Sequence, residues 1–259
     1  MLERTLPARG VDTVSRKALS AGGLECGSPA CRTAVATEND LRSRSNDSKA
    51  DTYPSKPTVI VETQPINPLT ADIDLKATHV KSSPYDDHLD YLDLRELSKP
   101  DRLFALALRK IQPTRGDYAT STYMSTFNWH TIFETLGELC SEARVQWQNQ
   151  TFYVVIFRSR LREGADRKVL GELDQMSHQE ACASGGLLHY WFGSPDAEMR
   201  NLATCIWRNR EDAAAGGRGP WHRKARGSAR EMYEEISFHT HKLVVEDGVQ
   251  SWRLEEYSD

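Results

Sequence analysis

The order of helix and strand patterns in the second half of the chain constrains the fold more than any other feature of the sequence. After residue 150, apolar runs typical of strands alternate with amphipathic runs typical of helices. In chain order these patterns predict a strand, a helix, two strands, a helix and a strand: Phe152–Arg158, Asp166–Ser184, Leu187–Phe192, Leu202–Arg208, Pro220 to about Ile236, and Lys242–Glu246. Gly185 and Gly186 are suited to end the first helix, and Pro220 is suited to the first turn of the second.

This strand and helix order is that of the ferredoxin-like fold, in which both helices lie on one face of an antiparallel sheet. We therefore predict an α+β domain over residues 57–259, with a ferredoxin-like core over about residues 150–259. The other face of the sheet must be covered by a second layer. In the α/β-barrel-like solution, two such sheets pack face to face by dimerisation or through an internal second copy. No internal repeat is evident, so the amphipathic helix predicted over Asn128–Trp147 is the candidate cover within a single domain.

The first part of the chain has a different character. Residues 1–56 contain few large apolar side chains, and Asp40–Asp51 is almost wholly polar, which predicts a disordered tail because little apolar surface can be buried. The β-branched run Pro57–Glu62 predicts a strand or a strap on the domain. Further along, Asp86–Leu97 fits either an edge strand or a short helix, and Asp101–Ile111 predicts a compact helix.

Charge and composition exclude several classes of protein. The chain has 259 residues, with 33 Lys and Arg against 37 Asp and Glu, a formal net charge of −4. A generic nucleic-acid-binding protein usually carries a basic excess, so we expect no nucleic-acid partner, and we assign the basic stretch Arg218–Arg230 to a solvated helix face. No apolar run is long enough to span a bilayer, so we expect no membrane partner. The N-terminus lacks the apolar core of a secretory signal, and a cytoplasmic location is expected.

Several short segments resemble a fungal protein family to which no activity is assigned. The resemblance is carried by His189–Gly193, Asn201–Arg208, Met124–Trp129, Phe152–Arg160, Gly219–His222 and Leu243–Gly248. It implies a fungal source and a soluble protein, and it implies no reaction. More distantly, the order of strands and helices is similar to that of the antibiotic-biosynthesis monooxygenase and stress-responsive α/β-barrel group, the members of which share a fold that hosts many chemistries.

One cluster of polar and aromatic residues could carry chemistry. It consists of His189, Tyr190, Trp191, Trp207, Arg208 and His222. If the second and third core strands are neighbours, His189 and Trp191 lie near Cys205 and Trp207, or near Thr204 and Arg208 if the register shifts by one residue. A histidine among aromatic side chains could take a proton from a phenol or an enol carbon, and an arginine could hold the resulting anion. Alternatively, and more simply, the histidine could be hydrogen-bonded in the core, among tryptophans that only fill space.

These observations leave two hypotheses of different classes. In the first, the protein is a cofactor-independent enzyme for proton transfer or oxygenation on an enol- or phenol-like small molecule, in a cavity between the sheet and its N-terminal cover. The predicted catalytic residues are His189, Arg208 and His222, and the predicted substrate-binding residues are Trp191, Trp207 and Tyr190. In the second, the protein is a non-catalytic ligand-binding or protein-interaction module that could form a homodimer.

No cofactor and no metal ion are expected. His239 and His241 share one face of a strand, a spacing that permits joint ligation of a metal, but nothing in the sequence points to a third ligand. Since the two hypotheses above remain open, the sequence does not decide whether the protein is an enzyme.

Overall fold

The computed structural model describes residues 67–257, so the predicted tail over residues 1–56 and the predicted strand Pro57–Glu62 lie outside the described residues. The strands are β1 (His79–Lys81), β2 (Tyr91–Asp93), β3 (Gln150–Leu161), β4 (Leu187–Phe192), β5 (Arg200–Trp207), β6 (Tyr233–Val245) and β7 (Trp252–Glu256). The helices are α1 (Lys99–Ala107), α2 (Tyr123–Thr126), α3 (Trp129–Glu142), α4 (Arg167–Ser184), α5 (Arg210–Gly216) and α6 (Pro220–Met232). Short 3-10 turns occur at His88–Asp90, Leu94–Glu96, Leu108–Lys110 and Asp247–Val249.

The main sheet contains the four strands that the sequence predicts for the ferredoxin-like core. It is five-stranded and antiparallel, in the order β4-β5-β3-β6-β7, and a separate two-stranded sheet joins β1 to β2. Strands β3, β4, β5 and β6, with α4 and α6 between them, reproduce the ferredoxin-like arrangement, and β7 is added beside β6. The ferredoxin-like α+β fold class is therefore confirmed, and β4 and β5 are neighbours as expected.

One face of the sheet is tightly packed against the N-terminal helices. We call it the packed face, and it carries Phe152, Val154, Ile156, Leu202, Thr204, Ile206 and Leu243. Phe104 of α1 lies between Phe133 of α3 and Phe152 of β3, with ring centroids 6.0 and 4.3 Å away. Val154, Leu202 and Ile206 have no accessible surface, so no space large enough for a water molecule touches them. The N-terminal half thus provides the predicted cover, but these central positions leave no room for the predicted cavity.

Capping residues set the ends of the helices on the opposite face. Asp166 caps α4 as expected, because its Oδ1 accepts hydrogen bonds from the backbone N–H groups of Lys168 and Val169 at 3.0 and 3.1 Å. Gly185 ends α4 with a φ of 79°, a conformation that favours glycine. Asn209 caps α5, because its side chain accepts a hydrogen bond from the backbone N–H of Asp212.

Two predicted boundaries need correction. Helix α6 ends at Met232 and the chain passes directly into β6, although the predicted helix continued to about Ile236 and the predicted strand began at Lys242. The extended conformation is favoured here because β3 continues to Leu161 and pairs with residues of β6 down to Tyr233. In the segment Asp86–Leu97 both predicted alternatives occur in part, since β2 lies between two 3-10 turns.

Candidate functional site

A carboxylate on α4 is held by two tyrosine hydroxyls from other parts of the chain. Tyr85 donates a hydrogen bond of 2.5 Å to Oδ2 of Asp174, and Tyr190 of β4 donates one of 2.8 Å to Oδ1. Asp174, His178 and Cys182 are spaced four residues apart, so they line one side of the helix. The helix therefore presents a row of polar side chains to β4 and to the segment that contains Tyr85.

The surroundings of Asp174 change its acidity and that of both tyrosines. Burial raises the pKa of Asp174, against the opposing effects of the two tyrosine hydrogen bonds and of nearby His178. Burial and the adjacent Asp174 raise the pKa of Tyr85 and of Tyr190 far above the ordinary value, so both hydroxyls remain hydrogen-bond donors. A carboxyl group with a raised pKa takes up and returns protons at higher pH than an ordinary aspartate does, which is typical of acid–base groups.

A second buried carboxylate lies on the same side of α4. Asp90 has 0% exposure and accepts hydrogen bonds from Nδ1 of His178 at 2.7 Å and from Nε2 of Gln175 at 3.0 Å. Burial lowers the pKa of His178, although Asp90 raises it, so the imidazole is held towards its neutral form. Asp90 and His178 thereby link the 3-10 turn before β2 to α4.

The thiol of Cys182 beside His178 is not arranged as a nucleophile. Its Sγ lies 3.6 Å from Nε2 and 3.8 Å from Nδ1 of His178, and these similar distances do not place it on the lone pair of either nitrogen. Burial raises the pKa of the Cys182 thiol to about 12, whereas catalytic cysteines have a lowered pKa. Cys182, His178 and Asp90 therefore do not form a Cys–His–Asp catalytic triad.

His222, at the start of α6, is hydrogen-bonded to Glu180 of α4. Glu180 of α4 accepts hydrogen bonds from the backbone N–H groups of Trp221 and His222 at 2.7 and 3.1 Å, and its Oε2 lies 3.1 Å from Nδ1 of His222. Burial opposes ionisation of Glu180, but these hydrogen bonds outweigh it and lower its pKa. The positive charge of a protonated His222 also acts on Asp174 and favours its ionised form.

The sheet face beneath α4 is less tightly packed than the packed face. Val155, Phe192, Ala203 and Cys205 all keep some accessible surface, although they pack against the buried residues Leu187, Tyr190 and Trp207. Burial nevertheless raises the pKa of the Cys205 thiol, with a contribution from Asp174. The accessible surface that these side chains keep shows that α4 does not close completely over the sheet here. We call this region the α4 site; it includes Asp174, Tyr190, Phe192 and Cys205.

The sheet separates the residues that the sequence predicts for one site. His189 and Trp191 lie on the packed face, opposite Ile206 and Thr204 in β5. Trp191 packs edge-on against Tyr118 and Phe127. The register matches neither predicted alternative fully, because an irregularity between Leu187 and His189 shifts the pairing.

The other predicted residues lie elsewhere. Tyr190 and Trp207 are on the face below α4, and of the two Tyr190 contacts Asp174. Arg208 lies beyond the end of β5, where its Nε donates to Oδ2 of Asp212 at 2.7 Å. The structure therefore does not bring His189, Arg208 and His222 around one cavity of the described residues. It places Tyr190, with His222 nearby, beside a group that the sequence did not single out, Asp174.

His189 provides a test through the pH dependence of stability. It is 6% exposed, its Nδ1 has no hydrogen-bond partner in the described part of the chain, and burial lowers its pKa from 6.5 to about 3. Between these two values the unfolded chain binds a proton that the folded protein does not, so stability falls as the pH falls. At pH 5 this difference amounts to about 2 kcal/mol, which His189→Leu should remove.

The measurement is urea unfolding of the wild type and His189→Leu at pH 7.5 and at pH 5. Relative to the wild type, the variant should gain about 2 kcal/mol in free energy of unfolding on going to the lower pH. An unchanged difference between the two proteins at both pH values would show that the folded imidazole titrates normally.

Comparison with known proteins identifies relatives of this chain. The family model described as PB2B2.08-like matches residues 81–256. UPF0643 protein PB2B2.08 of Schizosaccharomyces pombe is 34% identical over 180 residues, which cover 67% of this chain and 82% of the relative. The predicted resemblance to a fungal family is thus confirmed.

Solved structures with a similar fold come from bacteria. Rv0793 from Mycobacterium tuberculosis is 18% identical at a TM-score of 0.31, with 34% of this chain and 91% of that chain covered. A putative antibiotic biosynthesis monooxygenase from Nitrosomonas europaea is 19% identical at a TM-score of 0.31, with 34% and 94% covered. SnoaB, a cofactor-independent oxygenase from Streptomyces nogalater, is 8% identical at a TM-score of 0.28, with 34% and 90% covered. We base no functional argument on similarities of this size.

Among residues 67–257, no helix combines the length and apolar content that a bilayer crossing requires. The matched family segment begins in β1 and ends in β7, so it includes the N-terminal cover as well as the ferredoxin-like core. With more than half of its length matched by the family model, the chain belongs to the PB2B2.08-like family.

Proposed function

We propose that the protein is a cofactor-independent enzyme that transfers a proton on a small, enolisable compound, with Asp174 as the acid–base group. The observation that carries the proposal is the position of Asp174. It lies in the α4 site, between the hydroxyls of Tyr85 and Tyr190, with a pKa that burial raises. This combination of position and raised pKa is typical of catalytic carboxylates.

The chemistry needs a base and a donor for the developing charge. Asp174 takes the proton from a carbon beside a carbonyl group. The electron pair of that C–H bond forms a C=C bond, the π pair of the carbonyl group moves onto its oxygen, and Asp174 then returns the proton to another atom of the resulting enolate. Tyr85 and Tyr190 position the carboxylate. Tyr233 is the proposed donor to the enolate oxygen, since its hydroxyl has no hydrogen-bond partner among residues 67–257 and its pKa is raised to about 12 by burial and by Asp174.

This proposal revises the roles predicted from the sequence. Tyr190 becomes a positioning residue, and His222 acts on Asp174 through its charge. His189, Arg208, Trp191 and Trp207 are not part of the proposed site, because each packs or pairs elsewhere. The homodimer and the cytoplasmic location stay predictions.

The alternative is that the same hydrogen bonds only fasten the segment around Tyr85 to α4. The discriminating experiment follows deuterium incorporation at the methylene group of phenylpyruvate in D2O by proton NMR, with the full chain. We expect the wild type to accelerate exchange over buffer and Asp174→Asn to reduce that acceleration about 100-fold. Tyr233→Phe should reduce it about tenfold without loss of stability, because the deleted hydroxyl has no partner in the described residues.

Glu172→Gln is the matched control, since it makes the same chemical change on the exposed side of α4. It should exchange deuterium at the rate of the wild type. No acceleration by the wild type, or full activity in both Asp174→Asn and Tyr233→Phe, would leave the hydrogen-bond network with a structural role only. Thermal unfolding of each variant shows whether a lost rate reflects a lost fold.

A further inference from the structure

A basic cleft lies at the end of the sheet where β3, β5 and β6 meet the C-terminal end of α6. Its volume is about 830 Å³. The charged side chains along it are Arg158, Arg162, Arg200, Arg230, Glu234 and Glu235. We call it the basic cleft.

Both carboxylates of the basic cleft are already paired with arginines. Glu234 lies 2.9 Å from Nη1 of Arg160, and Glu235 lies 2.7 Å from Nη2 of Arg160 and 3.1 Å from Nη1 of Arg200. Arg158, Arg162 and Arg230 form no ion pair with a carboxylate anywhere in residues 67–257. The cleft therefore has an excess of positive charge, although the whole chain has a net charge of −4.

Arg158 shows that part of this charge is withdrawn from water. Its Nη1 donates to the backbone carbonyls of Tyr118, at 3.3 Å, and Ala119, and its Nη2 donates to that of Ser121 at 2.6 Å. These acceptors satisfy the hydrogen bonds but are neutral, so they leave the charge uncompensated. Burial accordingly lowers the pKa of Arg158. A partly buried cation is normally stabilised by a counter-charge.

Arg162 has hydrogen-bond donors that the protein leaves unused. Its Nε donates to the backbone carbonyl of Arg230 at 3.1 Å, which fixes the side chain, while its two terminal nitrogens have no partner within the described part of the protein. The planar guanidinium group suits two parallel hydrogen bonds to a carboxylate or a phosphate. Ala229, Tyr233 and Ile236 add apolar surface along the same cleft.

We propose that the basic cleft is a binding site for a small organic anion, the carboxylate or phosphate group of which is held by Arg162 and Arg230. The charge of Arg158 favours the same group from the inner side of the cleft. An apolar portion of the ligand packs against Ile236 and Ala229. This binding does not require the acid–base role of Asp174, and it is measured with anions that do not enolise.

The test is isothermal titration of the full chain with inorganic phosphate and with succinate, at an ionic strength held constant with chloride. The wild type should bind at least one of them saturably. The double variant Arg162→Gln with Arg230→Gln should raise the Kd tenfold or more, which corresponds to about 1.4 kcal/mol. Both side chains are exposed, so the variant should fold as the wild type does.

The matched control is Arg218→Gln with Arg223→Gln, which removes the same charge from exposed positions outside the cleft. Its Kd should stay within about twofold of that of the wild type. Binding of phosphate alone identifies a phosphate ligand, and binding of succinate alone a carboxylate ligand. The proposal is overturned if neither probe binds saturably, or if the two double variants weaken binding equally. Deuterium exchange on phenylpyruvate that persists in such a case would leave the role of Asp174 intact.

Discussion

Asp90→Ala is expected to lower the free energy of unfolding by about 3–5 kcal/mol, because it removes the acceptor at the centre of a buried polar group. Asp90 is fully buried and accepts hydrogen bonds from His178 and Gln175, both on α4. Without it, the donor of the buried His178 is left without a partner and without water to replace it. The segment before β2 also loses its main polar link to α4.

Urea unfolding followed by circular dichroism measures this effect. Asp86→Ala is the control, because it makes the same substitution in the same segment at an exposed carboxylate that pairs with Lys81. The control should unfold close to the wild type, since exposed ion pairs contribute little. Equal midpoints for Asp90→Ala and the wild type would mean that water or another group replaces the lost acceptor.

Phe104→Ala is expected to cost about 3–5 kcal/mol, as is usual when a buried phenylalanine is truncated. The ring has 0% exposure and contacts Phe133 of α3 and Phe152 of β3. It therefore joins the N-terminal helices to the central strand of the sheet. The cavity left by the ring would weaken both halves at once.

The result also tests the predicted single domain. Tryptophan fluorescence and far-ultraviolet circular dichroism should report one common unfolding transition in the wild type and in Phe104→Ala, because α1, α3 and β3 share a core. Leu89→Ala is the control, since this leucine is 54% exposed, and its midpoint should be unchanged. Two separate transitions would show that the N-terminal cover and the ferredoxin-like core unfold independently, which contradicts the predicted single domain.

Most of the fold follows from local patterns in the sequence. The apolar runs of β3, β4 and β5 and the glycines after α4 are local signals, and the strand order follows from known topology. The observed start of β6 differs from the predicted one. The residues after Met232 adopt an extended conformation because they pair with β3, which is a long-range contact. Propensity alone does not report such contacts.

The candidate site was harder to predict because its parts are far apart in the chain. The spacing of Asp174, His178 and Cys182 is a local signal, and it could have been found. Tyr85 is 89 residues from Asp174, and Asp90 is 88 residues from His178, so neither contact follows from spacing. His189 and Trp191 were placed correctly on one strand face, but the choice between the two faces depends on how the layers pack.

The packing of the N-terminal helices on the packed face has a practical consequence for work with this family. The sequence of the ferredoxin-like half has the pattern of an independent domain. A fragment that begins near Gln150, however, lacks α1 and α3, which cover Phe152, Val154 and Leu202. Those side chains would then form a broad water-exposed apolar surface, of the kind that makes isolated fragments aggregate. Truncated versions should therefore retain everything from β1 onward.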